Sequence, residues 1–472
     1  MRYKHALFLN PYAARKTNSA TINRLFPPTG LEYVASSAKD YVGKLTILDL
    51  RYEEELSDTN SLLDFIRKEI DIICVGIGWD REFDQICNLL NLMPDNIPII
   101  VGGHKATEQV EELFERCPKV NIIVRGEGEE TIREIALDMP LEKILGISFR
   151  NNGTVIHNAN RPLPDVNIIE VPDRNLRRNQ YCMSLYGREI TSLTFDTVLS
   201  ARGCRFNCKF CTFNLNPLGQ KRGYSERSVE SVVDEIQSLE AGIVLFSDDN
   251  FVTNVKRAEK ICDSIIAHKI KKSFITQVRI EIANSPQLLD KMVKAGFKML
   301  AFGIESPHDR ILDNFNKGFN SEKIRKAFKV LNRYPMFYHG YFIYGNIGET
   351  KEEMLYIAEF AKQIMVDTIA CNKLRANKSS PVMEVVNNTP GYHVTDKGDV
   401  YSDTYSPMVL KKINKKIRAS YYTPFTLFRI AKKICIIRFI PSKDIGAFLA
   451  CVPNILKNEI VRKIKKAFAK KT

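Results

Sequence analysis

Three cysteines lie close together in the stretch ARGCRFNCKFCTF, as Cys204, Cys208 and Cys211. Thiolates spaced C-x3-C-x2-C can coordinate one metal centre without further ligands from the chain. A structural zinc site usually has four ligands, often as paired C-x2-C knuckles, and the sequence has no second knuckle. An iron–sulfur cube held by three cysteines leaves one iron open to chelate a substrate. The spacing therefore favours a [4Fe–4S] cluster, with a zinc site or a simple electron carrier as the alternatives.

The elements that position these cysteines form two series of alternating strand and helix patterns. The first series, within residues 1–140, predicts a doubly wound parallel sheet with helices on both faces. Its predicted strands are 5–10, 44–50, 71–77, 97–103 and 120–126, and its helical patterns include 29–42 and 106–117. The second series, within residues 193–375, predicts a partial (β/α)6 barrel whose chemistry lies at the carboxyl ends of the strands. Its predicted strands end at 198–203, 243–249, 274–279, 299–306, 337–345 and 367–374.

Two further regions complete the predicted organisation. Residues 141–192 contain a hairpin that turns at Asn151-Asn152-Gly153, followed by a proline-containing linker. Residues 376–472 lack the strand rhythm and read as a mainly helical, basic region. The fold class is therefore α/β, with a Rossmann-like domain, a partial barrel and a helical end.

The cysteine motif, with aromatic Phe210 before its last cysteine, resembles the signature of the radical S-adenosylmethionine (SAM) superfamily. The resemblance implies that the open iron binds the amino and carboxylate groups of SAM. An electron from the cluster then cleaves SAM to methionine and a 5′-deoxyadenosyl radical, which abstracts hydrogen from a substrate. The cofactors carry this chemistry, and the barrel supplies orientation and excludes water.

Other strand ends of the second series resemble the SAM contacts of that family. The corresponding residues are Phe210, Asp248, Asp249, Arg279, Glu305, Ser306, Gly345 and Gly348. The resemblance implies that the two aspartates contact the SAM amino group and that Arg279 reaches its carboxylate or ribose. It places Glu305 and Ser306 at the ribose hydroxyls and the two glycines near the adenine. The structural alternatives are a helix-capping loop for the two aspartates, a salt bridge for Arg279 and a tight turn for the two glycines.

A Rossmann-like domain before such a barrel resembles the cobalamin-binding subfamily of radical SAM proteins. The resemblance implies that a corrin lies over the carboxyl ends of the first series of strands, where glycine turns admit its nucleotide tail. The predicted contact residues are Gly78, Trp79, Gly102, Gly103, Gly126, Glu127 and Gly128. The D-x-H-x-x-G loop of many cobalamin proteins is absent from this sequence. His104 is interpreted as a loop histidine rather than a ligand, and Trp79 either packs over the corrin or completes the core.

The net charge of +14 is concentrated at one end of the chain. Residues 411–472 contain 17 Lys and Arg against two acids, Asp444 and Glu459, so that the remaining residues are close to neutral. Lys and Arg alternate there with Ile, Phe and Leu, a pattern typical of helices on an anionic membrane surface. Solvated helices that pack on the barrel are the alternative, and nucleic-acid binding is disfavoured. The sequence has neither a signal peptide nor a transmembrane run, which predicts a cytoplasmic protein, peripheral at the inner face of the membrane if this contact forms.

Together these features predict a radical SAM enzyme that uses cobalamin to methylate an unactivated carbon. A lipid or isoprenoid-like substrate follows if the basic region contacts a membrane, and a flavodoxin or ferredoxin is the expected reductant. A radical SAM cyclase, oxidative or C–C coupling enzyme without methyl transfer is the first alternative. A non-catalytic Fe–S electron-transfer or binding protein is an alternative of another class.

Overall fold

The computed structural model describes most of the chain between residues 2 and 446. The residues outside the description are 1, 13–25, 54, 57, 81, 186–187, 212–214, 378–379, 440, 445 and 447–472. Most of the histidine-free stretch between the first strand and the first helix, and the end of the basic region, therefore lie outside the described residues.

Seven strands form the first sheet. They are β1 (His5–Asn10), β2 (Lys44–Asp49), β3 (Ile72–Gly76), β4 (Ile99–Gly102), β5 (Ile122–Val124), β6 (Ile147–Asn151) and β7 (Thr154–His157). Their order in the sheet is β2-β1-β3-β4-β5-β6-β7, and β1 to β5 pair in parallel. The hairpin β6–β7 adds to the sheet edge in antiparallel pairing and turns at Asn152 and Gly153, which have φ of 48° and 84°. This architecture confirms the predicted parallel sheet.

Helices cover both faces of the first sheet. They are α1 (Thr29–Ser36), α2 (Thr59–Glu69), α3 (Phe83–Leu92), α4 (His104–Glu108), α5 (Val110–Arg116) and α6 (Glu129–Ala136). Alternate residues of β1 enter different cores, because Leu7 and Leu9 pack with α2, α3 and α5, whereas Phe8 packs with α1 and α6. The single helix predicted over 106–117 is divided at Gln109, whose φ of −121° and ψ of 43° are not helical.

A second seven-stranded sheet forms the partial barrel. The strands of this half of the chain are β8 (Tyr181–Leu185), β9 (Arg188–Val198), β10 (Ala201–Arg202), β11 (Ser225–Glu226), β12 (Ile243–Phe246), β13 (Ser273–Val278), β14 (Phe297–Glu305), β15 (Phe337–Tyr344) and β16 (Thr368–Lys373). The order is β16-β15-β14-β13-β12-β9-β8, with β10 and β11 paired separately. The six strands from β9 to β16 in this sheet are parallel, which confirms the predicted barrel, and β8 is antiparallel.

Helices pack on the outer face of the second sheet. They are α7 (Val229–Ser238), α8 (Val255–Ala267), α9 (Pro286–Ala295), α10 (Asp309–Asn314), α11 (Ser321–Leu331) and α12 (Lys351–Gln363). Their apolar residues, such as Ile261, Leu289 and Phe328, are fully buried with the outward residues of the strands. This core fixes the strands, and so the carboxyl ends of the strands meet at one edge of the barrel.

Strand β8 and a small hairpin differ from the sequence prediction. Residues 141–192 contain β8 and the start of β9 in addition to the predicted hairpin and linker. Residues after 376 form α13 (Pro381–Asn387), the hairpin β17 (Tyr392–Val394) and β18 (Val400–Ser402), α14 (Pro407–Tyr421) and α15 (Pro424–Ile436). None of the helices in the described part of the chain is both long enough and apolar enough to span a lipid bilayer.

Candidate functional site

The cysteine loop begins directly after β10, at the carboxyl edge of the barrel. Gly203 has φ of 81°, and a Cβ there would lie 2.4 Å from the carbonyl oxygen of Gly223, so that only glycine fits this turn. Cys204, Cys208 and Cys211 follow as half-buried cysteines, and the Cys211 N–H donates to the Cys208 carbonyl at 3.1 Å. Among the described residues, no three His, Cys, Asp or Glu side chains converge as they do around a single bound ion.

The positively charged side chain of Arg279 lies against this loop. Nη1 of Arg279 is 3.6 Å from Sγ of Cys208, and its guanidinium lies 3.7 Å from the centre of the Phe206 ring. Nη2 of the same residue donates to Glu281 at 2.8 Å and to the Lys317 carbonyl. Three cysteines on one loop beside a buried guanidinium fit a cluster, because positive charge stabilises thiolate ligands. The contact of Arg279 with SAM stays a prediction.

The two predicted aspartates bind the backbone that leads into the cysteine loop. Asp248 is buried and accepts hydrogen bonds from the N–H of Ser200 at 2.7 Å and of Ala201 at 3.2 Å. Burial raises the pKa of Asp248 to about 6. Asp249 accepts from the Gly203 N–H at 2.8 Å, and burial also raises its pKa. Asp248 therefore anchors the segment before the loop, whereas Asp249 binds Gly203, the residue directly before the first cysteine.

Glu305 and Lys317 form a buried ion pair near the loop. Nζ of Lys317 lies 3.2 Å from Oε1 of Glu305 and 5.5 Å from the centre of the Phe210 ring. Glu305 ends β14 with φ of 66°, a left-handed conformation that is strained for a residue with a side chain. The hydroxyl of Ser306 accepts from the His308 N–H at 3.1 Å. No sequence pattern pointed to Lys317, because it is twelve residues from its partner and on another segment.

The glycine-rich turn after β15 completes this edge of the barrel. Gly345 and Gly348 have φ of 75° and 69°. Burial raises the pKa of Glu349 to about 7, and its Oε1 has no hydrogen-bond partner among the described residues. Phe210 packs 4.8 Å from the Phe315 ring, beside an apolar cluster that this turn also contacts. The structure thus brings the cysteines and the eight predicted SAM residues to the same edge.

A cavity of about 690 Å³ lies at the carboxyl edge of the first sheet. All seven residues predicted to contact a corrin line it, namely Gly78, Trp79, Gly102, Gly103, Gly126, Glu127 and Gly128. A Cβ at Gly78 would meet no atom within 4 Å, so that the glycine leaves open space for a ligand. Arg202, Arg375 and Asn377 of the second half of the chain line the same cavity. A large cofactor with a flat ring fits such a cradle between the two sheets.

Trp79 lies in the wall of this cavity and not in the core, since 64% of the residue is exposed. The Tyr12 hydroxyl fixes its backbone, because it accepts from the Trp79 N–H at 2.8 Å. Of the two interpretations of this tryptophan, only packing over a ligand in the cavity agrees with its exposure. His104, interpreted as a loop histidine, is instead the first residue of α4 and lines the cavity.

The glutamate of the predicted corrin turn binds arginines of the barrel. Oε2 of Glu127 accepts from Arg202 at 2.6 Å, and its Oε1 lies 3.2 Å from Nη1 of Arg222. Burial nevertheless raises the pKa of Glu127. The glycines of this turn can therefore contact a ligand, while the carboxylate of Glu127 connects the two halves of the chain. Neither arginine was predicted, because their partner is more than 70 residues away in sequence.

Two family models match this chain. The model described as Radical SAM superfamily matches residues 198–361, and the model described as B12 binding domain matches residues 15–136. An uncharacterized methyltransferase of Pyrococcus horikoshii is 30% identical over 352 residues, which are 72% of this chain and 74% of that protein. The anaerobic magnesium-protoporphyrin IX monomethyl ester cyclase of Cereibacter sphaeroides is 27% identical over 271 residues, which are 54% of this chain and 43% of the cyclase.

A solved structure shares the fold of most of this chain. It is that of the radical SAM methyltransferase TsrM from Kitasatospora setae, with cobalamin and a [4Fe–4S] cluster bound. The two structures superpose with a TM-score of 0.67 over 89% of this chain and 91% of TsrM, at 15% sequence identity. At 15% sequence identity, this similarity shows a shared fold and nothing further.

Proposed function

Because this chain belongs to the cobalamin-binding methyltransferase subfamily of the radical SAM superfamily, we propose that it methylates an unactivated carbon of a small molecule. The observation that carries the proposal is the position of the two sites. The cysteine loop and the glycine-lined cavity meet at Arg202, which lines the cavity and precedes Cys204 by two residues. A substrate between them is within reach of both cofactors.

The residues of the chain have separate tasks in this proposal. Cys204, Cys208 and Cys211 would hold the cluster and would leave one of its irons available to SAM. Asp249 and Glu305 are the proposed contacts of the SAM amino group and ribose. When bound, the cluster and SAM supply radical chemistry, and the corrin supplies methyl-group transfer. Phe210 and the apolar cluster around Phe315 would exclude water from this edge of the barrel.

The decisive experiment is anaerobic reconstitution with iron, sulfide, hydroxocobalamin, dithionite and SAM labelled in its methyl group. We expect release of 5′-deoxyadenosine and transfer of the label to a small molecule in an extract of the source cells. Deoxyadenosine without label transfer would instead support the cyclase or coupling alternative, to which the similarity with the anaerobic cyclase lends weight. Absence of deoxyadenosine, with the cluster and SAM both present, would contradict the enzyme proposal.

The reductant and the membrane contact belong to the same proposal. A flavodoxin or ferredoxin delivers the electron, and the basic region holds the enzyme at the inner face of the membrane. The exposed side of α15 supports this contact, because Phe425, Phe428 and Ile436 are 77%, 68% and 62% exposed. Residues 407–438 contain nine Lys and Arg and no acidic residue. Apolar side chains among cations suit a bilayer of anionic lipids.

Because of the position of α15, a membrane contact there would not by itself indicate what the substrate is. Nζ of Lys433 donates to Asp367 at 2.6 Å, and Arg429 donates to the carbonyl of Val366. Both partners precede β16, at the end of the barrel opposite the cysteine loop. A membrane bound at α15 would thus anchor the protein without delivering substrate directly to the cysteine loop. A lipid or isoprenoid-like substrate remains one proposal, and such a molecule would have to reach the opposite end of the barrel.

Vesicle binding tests the membrane contact. We expect the full chain to bind vesicles of phosphatidylglycerol and not of phosphatidylcholine. The double variant Phe425→Ser/Phe428→Ser should bind at least about tenfold more weakly, because each phenylalanine loses its apolar burial. Ile168→Ser is the matched control, since Ile168 is 64% exposed on a distant segment. Equal binding to both vesicles, or binding unchanged in the double variant, would contradict the contact.

A further inference from the structure

Arg202 connects the cavity wall to the cysteine loop. Its Nη1 donates to Oε2 of Glu127 at 2.6 Å, and its Nη2 donates to Oε1 of Glu129. All three residues line the cavity, and Cys204 follows two residues after Arg202. One side chain therefore joins the turn after β5 in the first sheet to the start of the cysteine motif.

The contact is buried. The side chains of Arg202, Glu127 and Glu129 are 17%, 21% and 8% exposed. A guanidinium that binds two carboxylates through separate nitrogens is fixed in direction as well as in distance. Loss of one partner would leave a buried charge without compensation, and the ion pairs are therefore not readily replaced by hydrogen bonds to water.

Both ends of this contact are held in place. On the barrel side, Arg202 pairs with Ser225 between β10 and β11, and the next N–H, of Gly203, donates to Asp249. On the other side, Arg222 holds Glu127 from a second direction, with Nη1 3.2 Å from Oε1, and also donates to the Pro164 carbonyl at 2.8 Å. The side chain of Arg202 thus bridges two rigid segments.

From these contacts we infer that Arg202 is a positioning residue that sets the distance between a corrin in the cavity and a cluster on the cysteine loop. The inference rests on the proposed function, because it takes the cavity as the corrin site. A displacement of about 1 Å between reacting groups costs about 100-fold in rate. Arg202 therefore governs transfer between the cofactors and not the binding of either one.

Electron paramagnetic resonance of the holoenzyme tests the inference. The sample is reconstituted with iron, sulfide and hydroxocobalamin and then reduced, so that the paramagnetic cluster speeds the relaxation of the cob(II)alamin signal. We expect Arg202→Gln and Glu129→Gln to bind both cofactors at the wild-type stoichiometry and to show a weaker enhancement. Transfer of the SAM methyl group to the reduced corrin, followed by absorbance, should fall by about 100-fold in both variants.

Arg161→Gln is the matched control. Arg161 lies in the linker that follows the first domain, is 10% exposed and pairs with Glu130 at 3.0 Å and with Glu134, and none of these three side chains lines the cavity. It should behave as the wild type in both measurements. Arg202→Gln with wild-type relaxation and transfer would overturn the inference, as would a failure of that variant to bind the corrin. If Arg202→Gln does not fold, Glu129→Gln decides by the same criteria. A wild type that binds no corrin would instead overturn the proposed function.

Discussion

The Cys208→Ala variant is expected to lose the cluster and, with it, the cleavage of SAM. Only three thiolates are available on the loop, and removal of one leaves too few ligands to hold the cube. After anaerobic reconstitution, iron content and the absorbance of the cluster should fall to those of a sample without sulfide. Release of 5′-deoxyadenosine with dithionite and SAM should fall to the background without enzyme.

A cysteine outside the loop serves as the control for this result. Cys371 lies half-buried on β16 and is not part of the motif, and Cys371→Ala should keep the wild-type iron content and deoxyadenosine release. A Cys208→Ala protein whose cluster spectrum still responds to SAM would contradict the assignment. So would stoichiometric zinc in the anaerobically purified wild type, since that would favour the zinc alternative.

Replacement of Gly78 by leucine is expected to exclude the corrin from its cavity. A Cβ at this position meets no atom within 4 Å, so that a larger side chain projects into the space of the ligand without disturbing the fold. The steric clash, about 1–3 kcal/mol, would weaken hydroxocobalamin binding by about 5- to 150-fold. The melting temperature of the apoprotein should stay unchanged.

Trp79 provides the measurement, because it is the only tryptophan of the chain and lines the same cavity. Hydroxocobalamin should quench its fluorescence in the wild type, and the titration gives the dissociation constant. Gly78→Ala should shift that constant much less than Gly78→Leu, which separates side-chain volume from loss of glycine. Quenching at wild-type concentrations in Gly78→Leu would contradict the prediction that Gly78 contacts the corrin.

Local patterns in the sequence were sufficient to predict both sheets. The buried strands β3 and β13 are continuous apolar runs followed by turns, and such runs locate parallel strands well. Strand β8 was missed, because it pairs antiparallel at the sheet edge and follows a proline-containing segment typical of a linker. The helix over 106–117 was predicted whole, because the break at Gln109 depends on backbone angles that no residue type there dictates.

The candidate site divides in the same way. Motif residues such as Cys208 and Gly78 could be predicted, since their chemistry is visible in a few neighbouring letters. Lys317 and Arg202 could not, because each acquires its role from a partner that only the folded chain brings close. Glu127 lines the same cavity as the other predicted corrin residues, yet its carboxylate forms an ion pair with Arg202, and only the structure reveals this second use.

The two sheets share no main-chain pairing among the described strands; the ion pairs of Arg202 are side-chain contacts. Hydrogen-bonded strands keep a fixed spacing that point mutations scarcely alter. A gap set by side chains can instead widen or narrow through single amino-acid exchanges, with both scaffolds intact. An ancestral protein of this architecture could therefore have acquired bulkier or smaller substrates by exchanging a few charged residues, which makes the position of Arg202 a place to look for divergence between relatives.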